Sequence, residues 1–250
     1  MHVIVLGAAG TYPGPGKPCA GFLVRHHDTT LLLDCGPGVL GPLMARMRPE
    51  DLDGIVVSHI HPDHCSDVFV LQHYLTFGPV AAGIPLPAMA PEGAVDVMAR
   101  FAQADGDQHP FFTSFAWDTI RPGDRRQVGS LELSFGYSDH PVPTLATRIT
   151  ADGRVLAYSA DTGRGGDAFT LAAGADLFMC EATWQSGDEW IDGLHMSAAA
   201  AGELAAAGDV KRLLLTHLRP EVSLQRSAEE AATEFGRDVL LAVPGLEVTV

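Results

Sequence analysis

The segment Ser58-His59-Ile60-His61-Pro62-Asp63-His64 puts three imidazoles and one carboxylate within six residues. Imidazole nitrogen and carboxylate oxygen are preferred ligands of zinc, at about 2.0–2.2 Å. His59 and His61, two apart in a loop leaving a strand, can point the same way, while Asp63 and His64 face a neighbouring point. Any one of these residues alone would be an ordinary polar loop residue. Together they form the nucleus of a metal site, and the chain's eleven histidines point the same way. Four side chains from one loop do not complete two sites, so further ligands are expected at later strand ends. His140 in Ser138-Asp139-His140-Pro141, Asp161 in Ser159-Ala160-Asp161-Thr162-Gly163, and His217 after Arg212–Thr216 stand at such ends. The chemistry expected is that of a divalent-metal site built from several strand ends.

Strands and turns must deliver these side chains. Short apolar runs bounded by Gly and Pro predict strands at Val3–Leu6, Gly21–Arg25 and Thr30–Asp34. Asp53–Ser58 predicts another, ending at His59. Asp67–Phe77 has helical length, with Ser66 and Asp67 as candidate N-caps. Residues 78–118 are rich in Pro and Gly, with one helix expected at Gly93–Ala104. Leu131–Tyr137 alternates as a half-buried strand. Leu145–Thr150 and Arg154–Ser159 flank Ala151-Asp152-Gly153, a hairpin turn. Ala175–Cys180 and Arg212–Thr216 are expected strands, Ser197–Ala207 and Ser227–Phe235 helices, and Val239–Val243 and Leu246–Val250 closing strands. Strands followed by helices, twice over, imply an α/β chain with two sheets face to face and helices outside both. No linker or repeat interrupts residues 1–250, which are expected to form a single domain.

Composition sets limits. At 250 residues with 46% hydrophobic and 19% charged side chains, a substantial core is expected, and disorder, collagen-like repeats and a coiled coil are excluded. Sixteen Lys and Arg against 31 Asp and Glu give −15, and only Lys17 and Lys211 are lysines. Such a surface repels polyanions, which disfavours long RNA or DNA as a partner. The N-terminus lacks a basic region before its short apolar run, and no stretch is long enough to span a bilayer. Cys19, Cys35, Cys65 and Cys180 are scattered and contain no CxxC pair. The expectation is a cytoplasmic protein with free thiols and no membrane partner.

The ordered set of motifs resembles the metallo-β-lactamase superfamily, and within it the ribonuclease Z-like branch. The resemblance runs from Leu6-Gly7 through Leu33-Asp34-Cys35-Gly36 and HxHxDH to Leu215-Thr216-His217. It implies a four-layer αββα sandwich holding two divalent metal ions. By motif, His59, His61 and His140 would bind the first ion, and Asp63, His64 and His217 the second, with Asp161 bridging. Zinc suits this donor set, and manganese or iron also fit. Cys180-Glu181-Ala182-Thr183 is similar to the branch's His/Cys-Glu-Ala-Thr strand end, and Leu194-His195-Met196-Ser197-Ala198 to its His-x-Ser/Thr element. The resemblance implies that His195 contacts the scissile phosphate and protonates the leaving oxygen, with Glu181 orienting it. The other reading of His195 is a helix cap near Ser197. Asp63 is either a ligand only or also a proton acceptor. Asp34 is either a support for the ligand loop or a turn residue. Cys65 and Cys180 are read as core, Gly7-Ala8-Ala9-Gly10 as a tight loop near the site, and His26, His27, His73 and His109 as surface residues.

The branch's tRNA-maturing members carry a long arm between the third-His strand and the bridging-Asp strand. Here a tight Ala-Asp-Gly turn joins Leu145–Thr150 to Arg154–Ser159 and leaves no room for one. The runs Gly38-Val39-Leu40-Gly41, Tyr158-Ser159-Ala160-Asp161-Thr162-Gly163 and Glu181-Ala182-Thr183-Trp184 resemble armless cyclic AMP phosphodiesterases. The expected function is cleavage of a small phosphodiester, a 3′,5′-cyclic nucleotide first, by a metal-bridging hydroxide. The alternatives are hydrolysis of a carbonyl substrate (lactone, thioester or β-lactam) and ribonuclease Z-like RNA processing. The branch also implies a homodimer.

Overall fold

Strict alternation along the strands sorts the apolar side chains into two cores. In β1 (His2–Gly7), Val3 and Val5 face one side and Ile4 and Leu6 the other. Phe22 and Val24 of β2 (Gly21–His26), and Leu31 and Leu33 of β3 (Thr29–Leu33), join Val3 and Val5 in a central core. The computed structural model describes residues 1–79, 84–188, 191 and 193–250. Within them β4 (Gly54–Val56), β5 (Leu86–Pro91) and β6 (Phe115–Ile120) extend this sheet on one side. A second sheet contains β7 (Arg125–Val128), β8 (Leu131–Tyr137), β9 (Leu145–Ala151), β10 (Arg154–Tyr158), β11 (Leu177–Glu181), β12 (Leu213–Thr216) and β13 (Leu240–Leu241). Its order is β13-β12-β11-β10-β9-β8-β7. β14 (Glu247–Thr249) pairs with β1, giving the first sheet the order β14-β1-β2-β3-β4-β5-β6. The central core is shared by the inner faces of both sheets, with Leu133, Ile149, Tyr158 and Met179 meeting Phe22 and Leu33.

Helices cover the outer faces. α1 (Leu40–Met44), α2 (Pro62–Phe77), α3 (Ala94–Phe101) and α4 (Pro110–Thr113) lie in the part of the chain that forms the first sheet. Leu43, Val68, Leu71, Met98 and Phe111 from these helices pack on Leu23, Leu32 and Ile55. α5 (Ala168–Ala172), α6 (Ala198–Ala207) and α7 (Leu224–Phe235) supply Ala172, Ala201, Ala205, Ala231 and Phe235 against Phe178, Leu213 and Leu215. The αββα arrangement expected from the sequence is therefore the one observed.

In each sheet an antiparallel half adjoins a parallel half, with β3 to β6 and β10 to β13 running parallel. The carboxyl ends of β3, β4, β10, β11 and β12 consequently emerge at one end of the sandwich. Several sequence expectations need correcting here. α2 begins at Pro62, five residues before the expected Asp67. Pro sits at its first turn, where its missing N–H costs nothing. Ser66 bonds back to the Pro62 carbonyl (2.7 Å), and Asp67 accepts from Leu40 N (3.0 Å), so neither starts the helix. The helix expected at Gly93–Ala104 is α3, but residues 78–118 also hold β5, α4 and the start of β6, which were not expected. β13 and β14 close different sheets rather than one.

Candidate metal centre

His59 follows β4 and Val57-Ser58, His61 is the N-cap of α2, and Asp63 and His64 lie in its first turn. His140 follows β8, Asp161 follows β10, and His217 follows β12. The structure brings all seven together as two sets that share Asp161. His59, His61, His140 and Asp161 form one, and Asp63, His64, Asp161 and His217 the other, each with its ligand atoms within 4.8 Å of one another. Asp161 divides its oxygens between them. Oδ2 lies 3.6 Å from His59 Nε2 and 3.9 Å from His140 Nε2. Oδ1 lies 3.1 Å from His64 Nε2 and 3.3 Å from His217 Nε2.

Hydrogen bonds behind the rings fix which nitrogen faces inward. The Ser58 hydroxyl gives its proton to Asp34 (2.9 Å), so it accepts from Nδ1–H of His59 (3.0 Å). Nδ1–H of His64 donates to Asp34 Oδ2 (2.8 Å), and that of His140 to the Leu194 carbonyl (3.3 Å). Thr183 gives its proton to Glu181 (2.8 Å) and accepts from Nδ1–H of His217 (2.8 Å). Four rings thus turn Nε2 inward toward Asp161, with His217 Nε2 also 3.0 Å from Asp63 Oδ2. His59 Nε2, His64 Nε2 and Asp161 Oδ1 are buried without a hydrogen-bond partner, and His61 Nδ1 faces His140 Nε2 at 3.0 Å. Buried unpartnered polar atoms cost free energy, and a divalent cation in each set would satisfy them. The donor set therefore fits metal ions.

The electrostatics differ between the sets. Burial disfavours charge on His64, but Asp161 and Asp34 outweigh it and hold that ring well above the usual histidine range. An ion binding there would displace a proton, whereas the rings of the other set are held neutral. Burial, reinforced by the neighbouring His64, holds His59 well below the usual histidine range. Burial also lowers His61, and lowers His140 to about 4, which keeps both rings neutral and able to ligate. For Asp63 and Asp161 burial opposes ionisation, but the surrounding imidazoles outweigh it and both stay carboxylates.

The surroundings are built to tight tolerances. Thr11 N donates to Asp63 Oδ2 (2.8 Å), so the loop after Gly7-Ala8-Ala9-Gly10 reaches the site. A Cβ on Gly10 would lie 2.7 Å from His217 Nδ1, and one on Gly36 would lie 1.9 Å from the Asp63 carbonyl. Thr11, Asp34, Ala160 and His217 all adopt positive φ (67°, 59°, 51° and 57°). Such strain costs of order 1–3 kcal/mol per residue and concentrates at functional sites.

His195 and Glu181 stand beside this centre. His195 Nδ1 is 2.7 Å from Glu181 Oε1, and its ring centroid is 5.3 Å from those of both His140 and His217. Glu181 also accepts from Thr162 N (2.8 Å) and Thr183 N (3.2 Å), so the buried carboxylate is fully partnered. Ser197 caps α6 through its own hydroxyl, which leaves His195 free of capping. A cleft of about 420 Å³ opens over His195, lined in part by Asp139, Arg164, Ile191 and Met196.

Asp34 is buried and accepts from Ser58, His64 and Tyr158, which settles it as a support of the ligand loop rather than a turn residue. Tyr158, Thr183 and Ser58 went unassigned in the sequence because each bonds a ligand or its support only after the chain folds. Cys65 and Cys180 are buried outside the ligand sets. His26 is a correction: it is buried rather than on the surface.

A two-sheet sandwich with helices outside and His/Asp sets at one end defines the metallo-β-lactamase fold. The chain matches the Beta-lactamase superfamily domain over residues 29–218 and belongs to that family. It is 34% identical to "Uncharacterized protein ML1173" of Mycobacterium leprae, over 98% of this chain and 87% of that one. It is 25% identical to ribonuclease Z of Methanopyrus kandleri, over 98% and 96% of the two chains. The crystal structure of the metallo-β-lactamase fold protein YhfI from Bacillus subtilis superposes with a TM-score of 0.87 at 28% identity, covering 99% of this chain and 98% of that one. YhfI also carries the name "Probable metallo-hydrolase". Among the described residues, no helix is long and apolar enough to cross a membrane.

Proposed function

We propose that this chain hydrolyses a small phosphodiester, a 3′,5′-cyclic nucleotide first among them. Two divalent ions, zinc foremost, would be held by His59, His61 and His140 and by Asp63, His64 and His217, with Asp161 between them. When bound, the ions supply Lewis acidity toward phosphate oxygens and activate water at neutral pH.

The observation that carries this reading is the His195–Glu181 pair. Burial disfavours a charged His195, but Glu181 at 2.7 Å, with Asp161 and Asp63 adding to it, outweighs burial and raises the pKa to about 9. With Nδ1 engaged by Glu181, the ring donates from Nε2, beside both ligand sets. A leaving alkoxide needs that proton, and general acid catalysis contributes about 10²–10⁴-fold. Carbonyl hydrolysis has less use for it.

Size is argued from the rest of the chain. The relative of Methanopyrus is a ribonuclease, so phosphodiester chemistry is native to the family's reach. Here β9 and β10 are joined by the turn at Asp152 and Gly153, with φ of 48° and 72°, which leaves no room for an RNA-gripping arm between these two strands. A net charge of −15 repels a polynucleotide, whereas a small diester meets only the local charge of the metal centre.

The test is turnover of 3′,5′-cyclic AMP, bis-p-nitrophenyl phosphate, a lactone and a thioester by the metal-loaded protein, with His195→Ala and Asp63→Ala alongside. Phosphodiester turnover should be lost in both variants, with metal retained in His195→Ala and reduced in Asp63→Ala. A parent that turns over neither phosphodiester overturns the proposal, and turnover of the lactone or thioester alone would replace it with carbonyl hydrolysis.

A further inference from the structure

Three turns meet at the end of the sandwich opposite the metal centre. The β2–β3 turn carries His26 and His27, the β9–β10 turn carries Asp152, and the β7–β8 turn carries Ser130. They touch closely: a Cβ on Gly129 would lie 2.1 Å from Thr29 Oγ1. Nε2 of His26 and Nε2 of His27 lie 3.2 and 3.3 Å from the same Asp152 oxygen, Oδ2.

The Ser130 hydroxyl lies 2.9 Å from the His26 carbonyl, 3.1 Å from Thr29 Oγ1 and 2.9 Å from His26 Nδ1. With its proton on the carbonyl it accepts from His26 Nδ1–H, and Nε2 of His26 turns a lone pair to the carboxylate oxygen, an arrangement that a cation between them satisfies. With the proton on Nδ1 instead, Nε2–H donates to Asp152 directly.

We propose that His26, His27 and Asp152 form a second kind of metal site, separate from the catalytic centre, for a divalent transition ion of the zinc class. Ligand bonds of about 2.0–2.1 Å in a tetrahedron place ligand atoms about 3.3 Å apart, close to the two separations observed. Two imidazoles and a carboxylate suit zinc, nickel or copper, and the Ser130 hydroxyl on Nδ1 is the outer partner that ligating imidazoles ordinarily have. His26 is buried, while the side chains of His27 and Asp152 are 67% and 72% exposed, so the ion has an entry path. Because His26–His27 belongs to one sheet and Asp152 to the other, the ion would clip the sheets together at the end remote from the active centre.

The experiment is equilibrium dialysis of parent, His27→Ala and Asp152→Asn against micromolar zinc, with metal counted per chain and thermal unfolding followed with and without zinc. Each variant should hold one zinc fewer than the parent, whatever number the catalytic centre holds, and should lose part of the zinc-dependent rise in Tm. Hydrolytic activity, assayed separately, should be unchanged in both. Equal zinc content in all three proteins overturns the proposal. So does a parent-specific rise in Tm that follows falling pH with no difference in zinc, which would make the clip an imidazolium–carboxylate pair.

Discussion

Glu181 and His195 are joined by a 2.7 Å contact between Oε1 and Nδ1, and the other oxygen of Glu181 reaches the metal centre through Thr183 and His217. One buried carboxylate thus sets the charge of His195 and the orientation of His217. Glu181→Gln keeps the shape and removes the charge that holds His195 up, so the pKa of His195 should fall. The alkaline limb of kcat should then move to lower pH, measured as a pH profile on the metal-loaded proteins. An unmoved limb would show that His195 is not the acid. The folded pKa lies above the ordinary value of about 6.5. The linked stability is therefore complete below about 6.5 and lost as pH rises through about 9. Without metal, thermal stability should decline over that window more in the parent than in Glu181→Gln.

Asp34 gives a second prediction. Its Oδ2 accepts from Tyr158 (2.7 Å), His64 (2.8 Å) and Ser58 (2.9 Å), and burial followed by the Asp34 charge keeps the Tyr158 phenol protonated. Tyr158→Phe removes one donor from the carboxylate that aims His64 and leaves the ring in the core. Zinc affinity, read by competition with a chromogenic chelator, should fall by about 10–100-fold. Asp34→Ala, which frees His64 as well, should cost more. Unchanged affinity in Tyr158→Phe would reduce the tyrosine to packing.

The sequence exposed the site more fully than its supports, for a physical reason. His59, His61, His64, His140, Asp161 and His217 are polar residues at the ends of apolar runs, a local contrast that the amino-acid order displays. Tyr158 lies 124 positions from Asp34 in the chain and meets it only because two sheets pack face to face. Thr183 lies 34 positions from the ring it supports. β5 was hidden by Pro87 and Pro91, which argue against a strand although Leu86–Pro91 pairs along its length with Phe115–Ile120. The start of α2 was hidden by Pro62, which marks a break in a helix interior but is well placed in its first turn.

Chelation supplies a third prediction. Removing the ions would leave Nε2 of His59 and of His64 and Oδ1 of Asp161 buried without hydrogen-bond partners. Ligand-linked stabilisation amounts to about 4.1 kcal/mol at a thousandfold excess over Kd. Exhaustive treatment with a strong chelator should lower Tm by several degrees, and added zinc should restore it. A Tm indifferent to chelation would argue against metal at the centre.

Two glycines separate the needs of the site from those of the scaffold. A Cβ on Gly36 would lie 1.9 Å from the backbone oxygen of Asp63, and the adjoining residue Cys35 is tied to α2 by bonds to His64 O (2.8 Å) and from Asp67 N (2.9 Å). Gly36→Ala must therefore push the Asp63–His64 turn away from His217 and Asp161. Gly41, within α1 five residues on, has open space around the same position. Alanine there should stabilise the helix by about 0.5–1 kcal/mol. We expect Gly36→Ala to lose zinc and Tm together, and Gly41→Ala to retain full zinc with an equal or higher Tm. Full zinc content in Gly36→Ala would mean that the turn carrying Asp63 and His64 can shift without disturbing the ligand set, contrary to the rigid support inferred for it.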